Sequence, residues 1–198
     1  MEVAVVRLGV GNTASVVFAL ERAGANVVLT EDAAVIAGVE RVVLPGVAAA
    51  GHAMDRMRTL GLVDTLRSFE RPLLGVCLGQ QLLYEDSEED DALTLGRIEG
   101  RVRRLPSTPE MPVPHMGWNR LDKRADDPLL DGVPDGSYVY FAHSFICPTG
   151  PATVASTDYG GAFSAVVRRG QAWGCQFHPE RSSAAGARVL RNFMALPC

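Results

Sequence analysis

Four short apolar runs in the first half of the chain constrain its fold more than any other feature. Each is long enough for one buried strand: VAVVRL (3–8), NVVLT (26–30), RVVLPG (41–46) and PLLGVC (72–77). Stretches with helical spacing occur at 13–24, from about 51 to 69, and from 79 to about 84. Apolar strands that alternate with helices predict an α/β fold, with a mainly parallel central sheet and helices on both of its faces.

The second half of the chain changes character. Strand-like segments follow one another closely at 97–105, 137–145, 152–157, 162–170 and 171–177, and a closing helix is expected over 183–196. This spacing predicts an antiparallel or mixed extension of the sheet. The acidic run at 85–91 is interpreted as a solvated loop. At 198 residues without a linker, the chain is expected to form one domain, 1–198.

Composition argues against several classes of protein. The net charge is -4 and no broad basic face is evident, which disfavours nucleic-acid binding. Arg101, Arg103 and Arg104 are interpreted as a solvated strand. No apolar run approaches the ~18 residues of a membrane span, and the N-terminus is typical of a first strand and not of a signal peptide. The four cysteines form no CxxC pair, so we expect reduced thiols in a cytoplasmic protein, with no metal and no cofactor.

Cys77 lies in the pattern G-x-C-x-G between a strand and a helix, as Gly75-Val76-Cys77-Leu78-Gly79. This is the nucleophile-elbow pattern with cysteine in place of serine. A sharp turn exposes the nucleophile, and small neighbours are needed where the strand and helix crowd together. The backbone N–H of Leu78 then points at the reacting carbonyl as one oxyanion donor. The alternative is a buried core cysteine between two packing glycines.

A thiol nucleophile also needs a base, and His178 is the best candidate among four histidines. It follows the strand QAWGCQF, and Glu180 lies two residues further on. Glu180 is suited to hold the imidazole in one tautomer and to stabilise the imidazolium. If the last strand runs parallel to the fourth, Cys77 and His178 lie at neighbouring carboxyl ends. The alternative is a surface histidine at a proline turn.

A second oxyanion donor is expected from the loop LPGVAAAG (44–51), which follows the third strand. Pro45 and Gly46 break the chain there, and the backbone N–H of Val47 is the candidate. A Pro-Gly turn alone is a weak signal.

Taken together, GVCLGQQLL (75–83), QFHPE (176–180) and the LPG loop resemble the class I glutamine amidotransferases. The stretches GVGNTASVVFAL (9–20), VPHMGWN (113–119), YFAHSF (140–145) and HPERSS (178–183) are similar to those of the glutaminase subunits of imidazole glycerol phosphate synthase. The resemblance covers the whole chain, and VPHMGWN is its most specific motif.

The resemblance implies hydrolysis of L-glutamine to glutamate and ammonia. Cys77 would form a glutamyl thioester, His178 would protonate ammonia and then activate water, and Glu180 would orient His178. Glutamine-binding positions carry over to these residues: Gly46, Gln81, His143, Ser144 and Phe145. Without the resemblance, Gln81 is equally a polar helix position and His143 a core or strand-end histidine.

The resemblance also implies a partner, a (β/α)₈-barrel cyclase subunit in a heterodimer. Ammonia would pass to it, and the products would be imidazole glycerol phosphate and an aminoimidazole carboxamide ribotide. Residues on segments that face the barrel in relatives are Asn12, Met116, Trp118, Tyr140 and Arg181. A core position for Met116 and Trp118, and a plain surface charge for Arg181, are the alternatives.

The sequence departs from the family pattern at three places. Ala48 replaces a glycine of the oxyanion loop, and alanine disfavours positive φ. We therefore expect low basal activity that depends strongly on the partner. Arg7-Leu8 replaces an acidic-aromatic pair, and Phe145 replaces a commoner tyrosine.

Three other functions remain open on the sequence. They are the glutaminase of another synthase, a non-catalytic or weakly active scaffold subunit, and a cysteine hydrolase of γ-glutamyl peptides. VPHMGWN argues against the first, and the intact set of Cys77, His178 and Glu180 argues against the second.

Overall fold

A computed structural model describes residues 2–9, 13–46, 48–109 and 111–198. In chain order the strands are β1 (Glu2–Val6), β2 (Asn26–Thr30), β3 (Arg41–Gly46), β4 (Leu73–Cys77), β5 (Asp86–Ser87), β6 (Ala92–Leu93), β7 (Arg101–Arg104), β8 (His115–Arg120), β9 (Asp122–Lys123), β10 (Tyr138–His143), β11 (Phe145–Ile146), β12 (Thr153–Asp158), β13 (Ala162–Arg169) and β14 (Ala172–Cys175). The α-helices are α1 (Thr13–Arg22), α2 (Ala33–Gly38), α3 (Ala50–Thr59), α4 (Leu62–Arg67), α5 (Leu78–Gln81) and α6 (Ser183–Ala195).

The largest sheet has eight strands in the order β2-β1-β3-β4-β14-β13-β12-β9. The strands β2, β1, β3, β4 and β14 are parallel to one another, whereas β13 pairs antiparallel with β14, β12 with β13, and β9 with β12. A mainly parallel sheet with an antiparallel extension is therefore confirmed. The predicted strands near 97–105 and 137–145 do not join it: β7 and β10 belong to two smaller sheets, of four and two strands.

Helices cover both faces of the parallel part, as predicted. Side chains alternate along β1, so Val3 and Val5 lie in one core cluster while Ala4 and Val6 lie in the other. The first cluster contains residues of α1 and α6, and the second contains residues of α2, α3 and α4. Strands buried on both faces must be apolar throughout, which explains the continuous apolar runs of the sequence.

Several local predictions were wrong. The helix expected from 51 to 69 is two helices, because Gly61 has a φ of 67° between α3 and α4. The helix expected from 79 to 84 ends as an α-helix at Gln81. The sequence reading missed α2 and the strand β8, which pairs with β10. Arg101, Arg103 and Arg104 do lie exposed on a strand, with Val102 buried between them.

The acidic run is not a simple solvated loop. Ser87 is fully buried within β5, and residues 89–91 form a short 3₁₀ turn. The carboxylates of Glu89 and Asp90 accept hydrogen bonds from the backbone N–H groups of Ala50 and Gly51, at 2.8 and 3.2 Å. The run therefore caps the N-terminus of α3, whose first amides have no partner within the helix.

Two glycines allow the backbone of α5 to lie directly against the backbones of β3 and β4. A Cβ at Gly79 would lie 1.8 Å from the carbonyl oxygen of Leu44 in β3, and a Cβ at Gly75 would lie 2.4 Å from the carbonyl oxygen of Gly79. No side chain is small enough for either position. The sharp turn at Cys77 is possible because the backbone of α5 can lie this close to β3 and β4.

We expect Gly79→Ala to lower the free energy of unfolding by about 3 kcal/mol or more, because the clash is with backbone that cannot rotate away. Gly38→Ala is the control, since a Cβ at Gly38 meets no atom within 4 Å. Urea denaturation of both variants measures the difference. Equal stability of the Gly79→Ala variant and the unaltered protein would show that the crossing is not tight.

Candidate active site

Cys77 has the strained backbone of a nucleophile elbow. It is the last residue of β4, and its φ of 54° and ψ of -110° are rare for a residue with a side chain. The side chain is almost buried, with 6% of the residue exposed. Its Sγ lies 3.8 Å from the carbonyl oxygen of Ala142, to which the thiol can donate, and 3.8 Å from Nε2 of Gln176.

His178 follows β14, which lies beside β4 in parallel register, with Cys175 opposite Val76. Strand β14 thus runs parallel to β4, and both Cys77 and His178 lie at the carboxyl ends of neighbouring strands. The backbone N–H of His178 donates to the carbonyl oxygen of Tyr140 at 2.9 Å, which ties the backbone of this residue to β10.

The imidazole of His178 is paired with Glu180. Its Nδ1 lies 2.9 Å from Oε1 of Glu180, and both side chains are at least nine-tenths buried. The second carboxylate oxygen of Glu180 is buried without a hydrogen-bond donor in the part of the chain that the structure describes. The imidazole is therefore the main partner of this carboxylate, and Nδ1 carries a proton.

The environment of His178 strongly favours the imidazolium. Burial alone would lower its pKa, but hydrogen bonding and charge interactions with Cys77 and Glu180 outweigh burial and raise the pKa from 6.5 to about 10. An imidazolium between a thiol and a carboxylate is the arrangement that stabilises a thiolate and supplies a proton to a leaving group.

A pocket of about 240 Å³ opens onto Cys77. Its wall includes the predicted positions Leu78, Gln81, His143, Ser144 and Phe145. Gly46 ends β3 directly beside Cys77 in the sheet register, and its missing Cβ leaves room for Leu78. The structure thus brings these predicted residues to one place.

Hydrogen bonds hold the pocket wall from behind. Nε2 of Gln81 donates to the carbonyl oxygen of Phe145 at 2.9 Å and to Oε1 of Gln176 at 3.0 Å. The carbonyl oxygen of Phe145 also accepts from Nδ1 of His143 at 2.9 Å. Both amide hydrogens of Gln81 are used internally, so only its Oε1 can face a ligand.

His143 is a neutral structural member of this wall. Its Nε2 lies 3.1 Å from Nδ1 of His115, which stacks between Phe141 and Tyr159. Burial lowers the pKa of His143 to about 3 and that of His115 to about 4. Because the carbonyl of Phe145 can only accept, His143 donates through Nδ1 and accepts through Nε2.

The oxyanion loop is partly outside the described residues. Val47, whose backbone N–H is the candidate second oxyanion donor, is one of the residues that the structure does not describe. Ala48 is described and lines the pocket. Leu78 is the first residue of α5, and its backbone N–H follows the nucleophile directly.

The sequence matches the family model "Glutamine amidotransferase class-I" over residues 5–196. Two curated relatives, each named "Imidazole glycerol phosphate synthase subunit HisH", come from Xylella fastidiosa and Xanthomonas axonopodis pv. citri. They are 49% and 48% identical over 195 residues, with 98% of both chains covered in each case. The chain belongs to the class-I glutamine amidotransferase family, in its HisH branch.

Solved structures share the fold of this amidotransferase at low identity. One titled as a glutamine amidotransferase is 20% identical, with a TM-score of 0.75 over 98% of this chain and 97% of the other. The glutaminase domain of CTPS from Trypanosoma brucei, solved with bound acivicin, is 17% identical, with a TM-score of 0.73 over 98% and 92%.

The described residues expected to face a partner lie on the two-stranded sheet of β8 and β10 of this amidotransferase and on the turn at 179–181 beside it. Met116 and Trp118 are 64% and 52% exposed, so neither is a core residue. The ring of Trp118 packs edge-on against that of Tyr140, and the guanidinium of Arg181 lies 4.3 Å from the centre of the Tyr140 ring. Asn12 lies outside the described residues. We call these four described residues the aromatic face.

Sequence reasoning missed Glu89, Gln176 and His115. Glu89 lines the pocket, but it stands in a run of acids that is typical of a solvated loop. Gln176 opens the stretch QFHPE (176–180), in which the sequence offers no role for it. His115 lies in VPHMGWN (113–119), the most specific motif of this amidotransferase, and this motif could have drawn attention to it.

No helix in the described ranges is long and apolar enough to cross a membrane. Among the same residues, no group of three or more histidines, cysteines and acids has the arrangement of a metal site.

The raised pKa of His178 predicts a pH-dependent contribution to stability. The native state holds this proton more tightly than the unfolded chain, so the contribution is complete below about pH 6.5 and is lost as the pH rises through about 10. The difference in free energy of unfolding between the unaltered protein and His178→Asn should therefore shrink between these pH values. Urea denaturation across this range measures it. A difference that grows with pH would mean that the imidazole is neutral in the native state.

Proposed function

We propose that this chain is the glutaminase subunit of an imidazole glycerol phosphate synthase, and that it hydrolyses L-glutamine through Cys77, His178 and Glu180. The observation that carries the proposal is the strained Cys77 in a pocket beside an imidazole whose other nitrogen is held by a buried carboxylate. Neither backbone strain nor a buried imidazolium is needed for folding, and both suit a cysteine nucleophile.

In the first half-reaction, the thiolate of Cys77 attacks the side-chain amide carbon of glutamine. The C–S bond forms as the carbonyl electron pair moves to oxygen; the carbonyl then re-forms, the C–N bond breaks, and the imidazolium of His178 gives its proton to the leaving nitrogen, which departs as ammonia. The negative oxygen that develops on the carbon faces the backbone N–H of Leu78, with Val47 as the expected second donor. The product is a glutamyl thioester.

In the second half-reaction, His178 is neutral and takes a proton from water as the water attacks the thioester. The C–S bond breaks, its electron pair returns to sulfur, and glutamate leaves. The proton on His178 then pairs again with the Cys77 thiolate, which restores the starting state. Glu180 keeps Nδ1 protonated throughout, so the proton transfers take place at Nε2.

The pocket wall supplies the contacts for glutamine. Gly46, Gln81, His143, Ser144 and Phe145 line or border the space above Cys77, and they offer mainly backbone groups and the Oε1 of Gln81. Glu89 is the carboxylate of this wall. We assign it to the α-ammonium group of glutamine, because a half-buried carboxylate binds a cation through strong charge-assisted hydrogen bonds.

The partner is a cyclase subunit in a heterodimer. The proposal rests on the HisH relatives and on the position of the aromatic face, since Met116 belongs both to this face and to the pocket wall. Aromatic residues and arginine are enriched at protein interfaces. Ammonia released at Cys77 would thus leave beside the partner, where it supports formation of imidazole glycerol phosphate and the aminoimidazole carboxamide ribotide. We place the enzyme in the cytoplasm because all four cysteines are free thiols.

The direct test is glutamate release from glutamine by the purified chain, alone and with the cyclase subunit and its nucleotide ligand. We expect little release alone, strong stimulation by the liganded partner, and none from the Cys77→Ala variant. Absence of release with a complex shown to form would support the scaffold function instead. Release from γ-glutamyl peptides but not from free glutamine would support the peptide hydrolase.

Glu89→Gln tests the substrate assignment. The amide can still accept the hydrogen bond from Ala50, but it carries no charge, so the KM for glutamine should rise roughly tenfold or more while kcat changes little. Asp90→Asn is the matched control, because Asp90 caps α3 in the same way but does not line the pocket.

A glutamine analogue without the α-amino group separates charge recognition from structural damage. We expect this analogue to react equally well with the unaltered enzyme and with Glu89→Gln. If Glu89→Gln slowed both substrates equally, Glu89 would be a cap of α3 and not a ligand of the ammonium group.

A further inference from the structure

Gln176 is a fully buried polar residue beside the nucleophile. None of its surface is exposed, and both ends of its side-chain amide have a partner. Nε2 lies 3.8 Å from Sγ of Cys77, and Oε1 accepts from Nε2 of Gln81 at 3.0 Å. Burying an amide costs free energy unless its polar atoms are bonded, so this position requires partners at both ends.

The end of β14 explains why Gln176 reaches the same sulfur as His178. The backbone N–H of Gln176 donates to the carbonyl of Ala165 at 2.9 Å and so extends the pairing with β13 by one residue. The chain then bends at Gln176 and Phe177, and the side chains of Gln176 and His178 both reach the sulfur of Cys77. Phe177, between them, packs into the core against Phe141.

The orientation of the Gln176 amide follows from its neighbours. The carbonyl of Phe145 can only accept, so the atom of Gln81 that faces it must be the amide nitrogen. The same nitrogen faces Gln176, whose facing atom must therefore be Oε1. The NH₂ group of Gln176 consequently points at the sulfur of Cys77.

A neutral thiol is a poor acceptor for this NH₂ group, whereas a thiolate is a strong one. In the thiol form, Cys77 can donate to the carbonyl of Ala142 and receives only a weak bond from Gln176. Ionisation of the sulfur makes the bond from Gln176 charge-assisted, and such bonds are roughly twice as strong as neutral ones. The donor is fixed before ionisation, so little reorganisation is needed.

We propose that Gln176 is a further catalytic residue, whose side-chain amide donates a hydrogen bond to the thiolate of Cys77. The inference rests on the proposed function, in which Cys77 is the nucleophile. The bond stabilises the sulfur before it attacks glutamine. It weakens in the neutral thioester and is restored when the C–S bond breaks and its electron pair returns to sulfur. Gln176 thus acts twice in each turnover, together with the imidazolium of His178.

Gln176→Met is the main test, because methionine is of similar length but has no N–H donor. The readout is alkylation of Cys77 by iodoacetamide near pH 7, followed by peptide mass spectrometry, since this uncharged reagent reacts with the thiolate. Exposed Cys198 serves as the internal reference in every variant. Cys147 is buried, and burial raises its pKa to about 12, so it stays unreactive.

We expect Gln176→Met to slow alkylation of Cys77 about tenfold or more, as loss of one hydrogen bond to an ion implies. Gln176→Glu should slow it further, because an ionised carboxylate faces the sulfur. Gln80→Met is the matched control. Gln80 is an equally buried glutamine nearby, but it donates to the carbonyl of Ser164 and not to Cys77, so alkylation should change less than about twofold.

Two results would overturn the inference. One is an unchanged alkylation rate in a folded Gln176→Met variant, and the other is equal slowing by Gln80→Met, which would indicate a general effect of core packing. Alkylation requires no glutamine, so failure here is distinct from failure of the proposed function. If Gln176→Met releases glutamate and its Cys77 is alkylated at the normal rate, the proposed function stands and the role of Gln176 is refuted.

Discussion

The contact between Gly79 and the carbonyl of Leu44 is the constraint on which the site depends. It lets α5 begin immediately at the end of β4, and the connecting residue must then take a positive φ. The same contact brings the end of β3 alongside, so that Gly46, Cys77 and Leu78 meet at one edge of the sheet. A strained nucleophile and a neighbouring backbone donor are thus consequences of one backbone crossing.

The charged groups of the site are arranged around the turn at Cys77. The next parallel strand, β14, ends in two groups that favour negative charge on sulfur, the Gln176 amide and the His178 imidazolium. The charge of this imidazolium is balanced by Glu180, which is itself buried. In the proposed function, Glu89 of the pocket wall offers a negative charge to the other end of the substrate. The pocket therefore matches a ligand with an electrophilic amide at one end and an ammonium group at the other.

The parallel half of the fold and the positions of the proposed catalytic residues could be predicted because their signals are local. Cys77, His178 and Glu180 follow apolar strands at turns marked by glycine or proline, and a parallel sheet collects such positions at one edge. Glu89 could not be found in this way. Its acidic neighbours favour a solvated loop, and only the tertiary contact with Ala50 turns the run into a cap and a pocket wall.

The second half was harder to predict for a related reason. Short strands carry little information about which sheet they join, since pairing depends on contacts distant in sequence. Thus β7 and β10 have convincing strand sequences, yet they pair outside the main sheet. Similarly, the helical spacing at 51–69 continues past Gly61, and only the left-handed backbone there separates α3 from α4.

The most direct test of the account is to identify the residue that carries the glutamyl group during turnover. The enzyme, activated by its liganded partner, is mixed with isotope-labelled glutamine, quenched in acid, digested and mapped by mass spectrometry. The account predicts labelled glutamyl thioester on the peptide that contains Cys77, and none on the peptides of Cys147, Cys175 or Cys198. Label on another residue, or continued glutamate release after complete alkylation of Cys77, would contradict it.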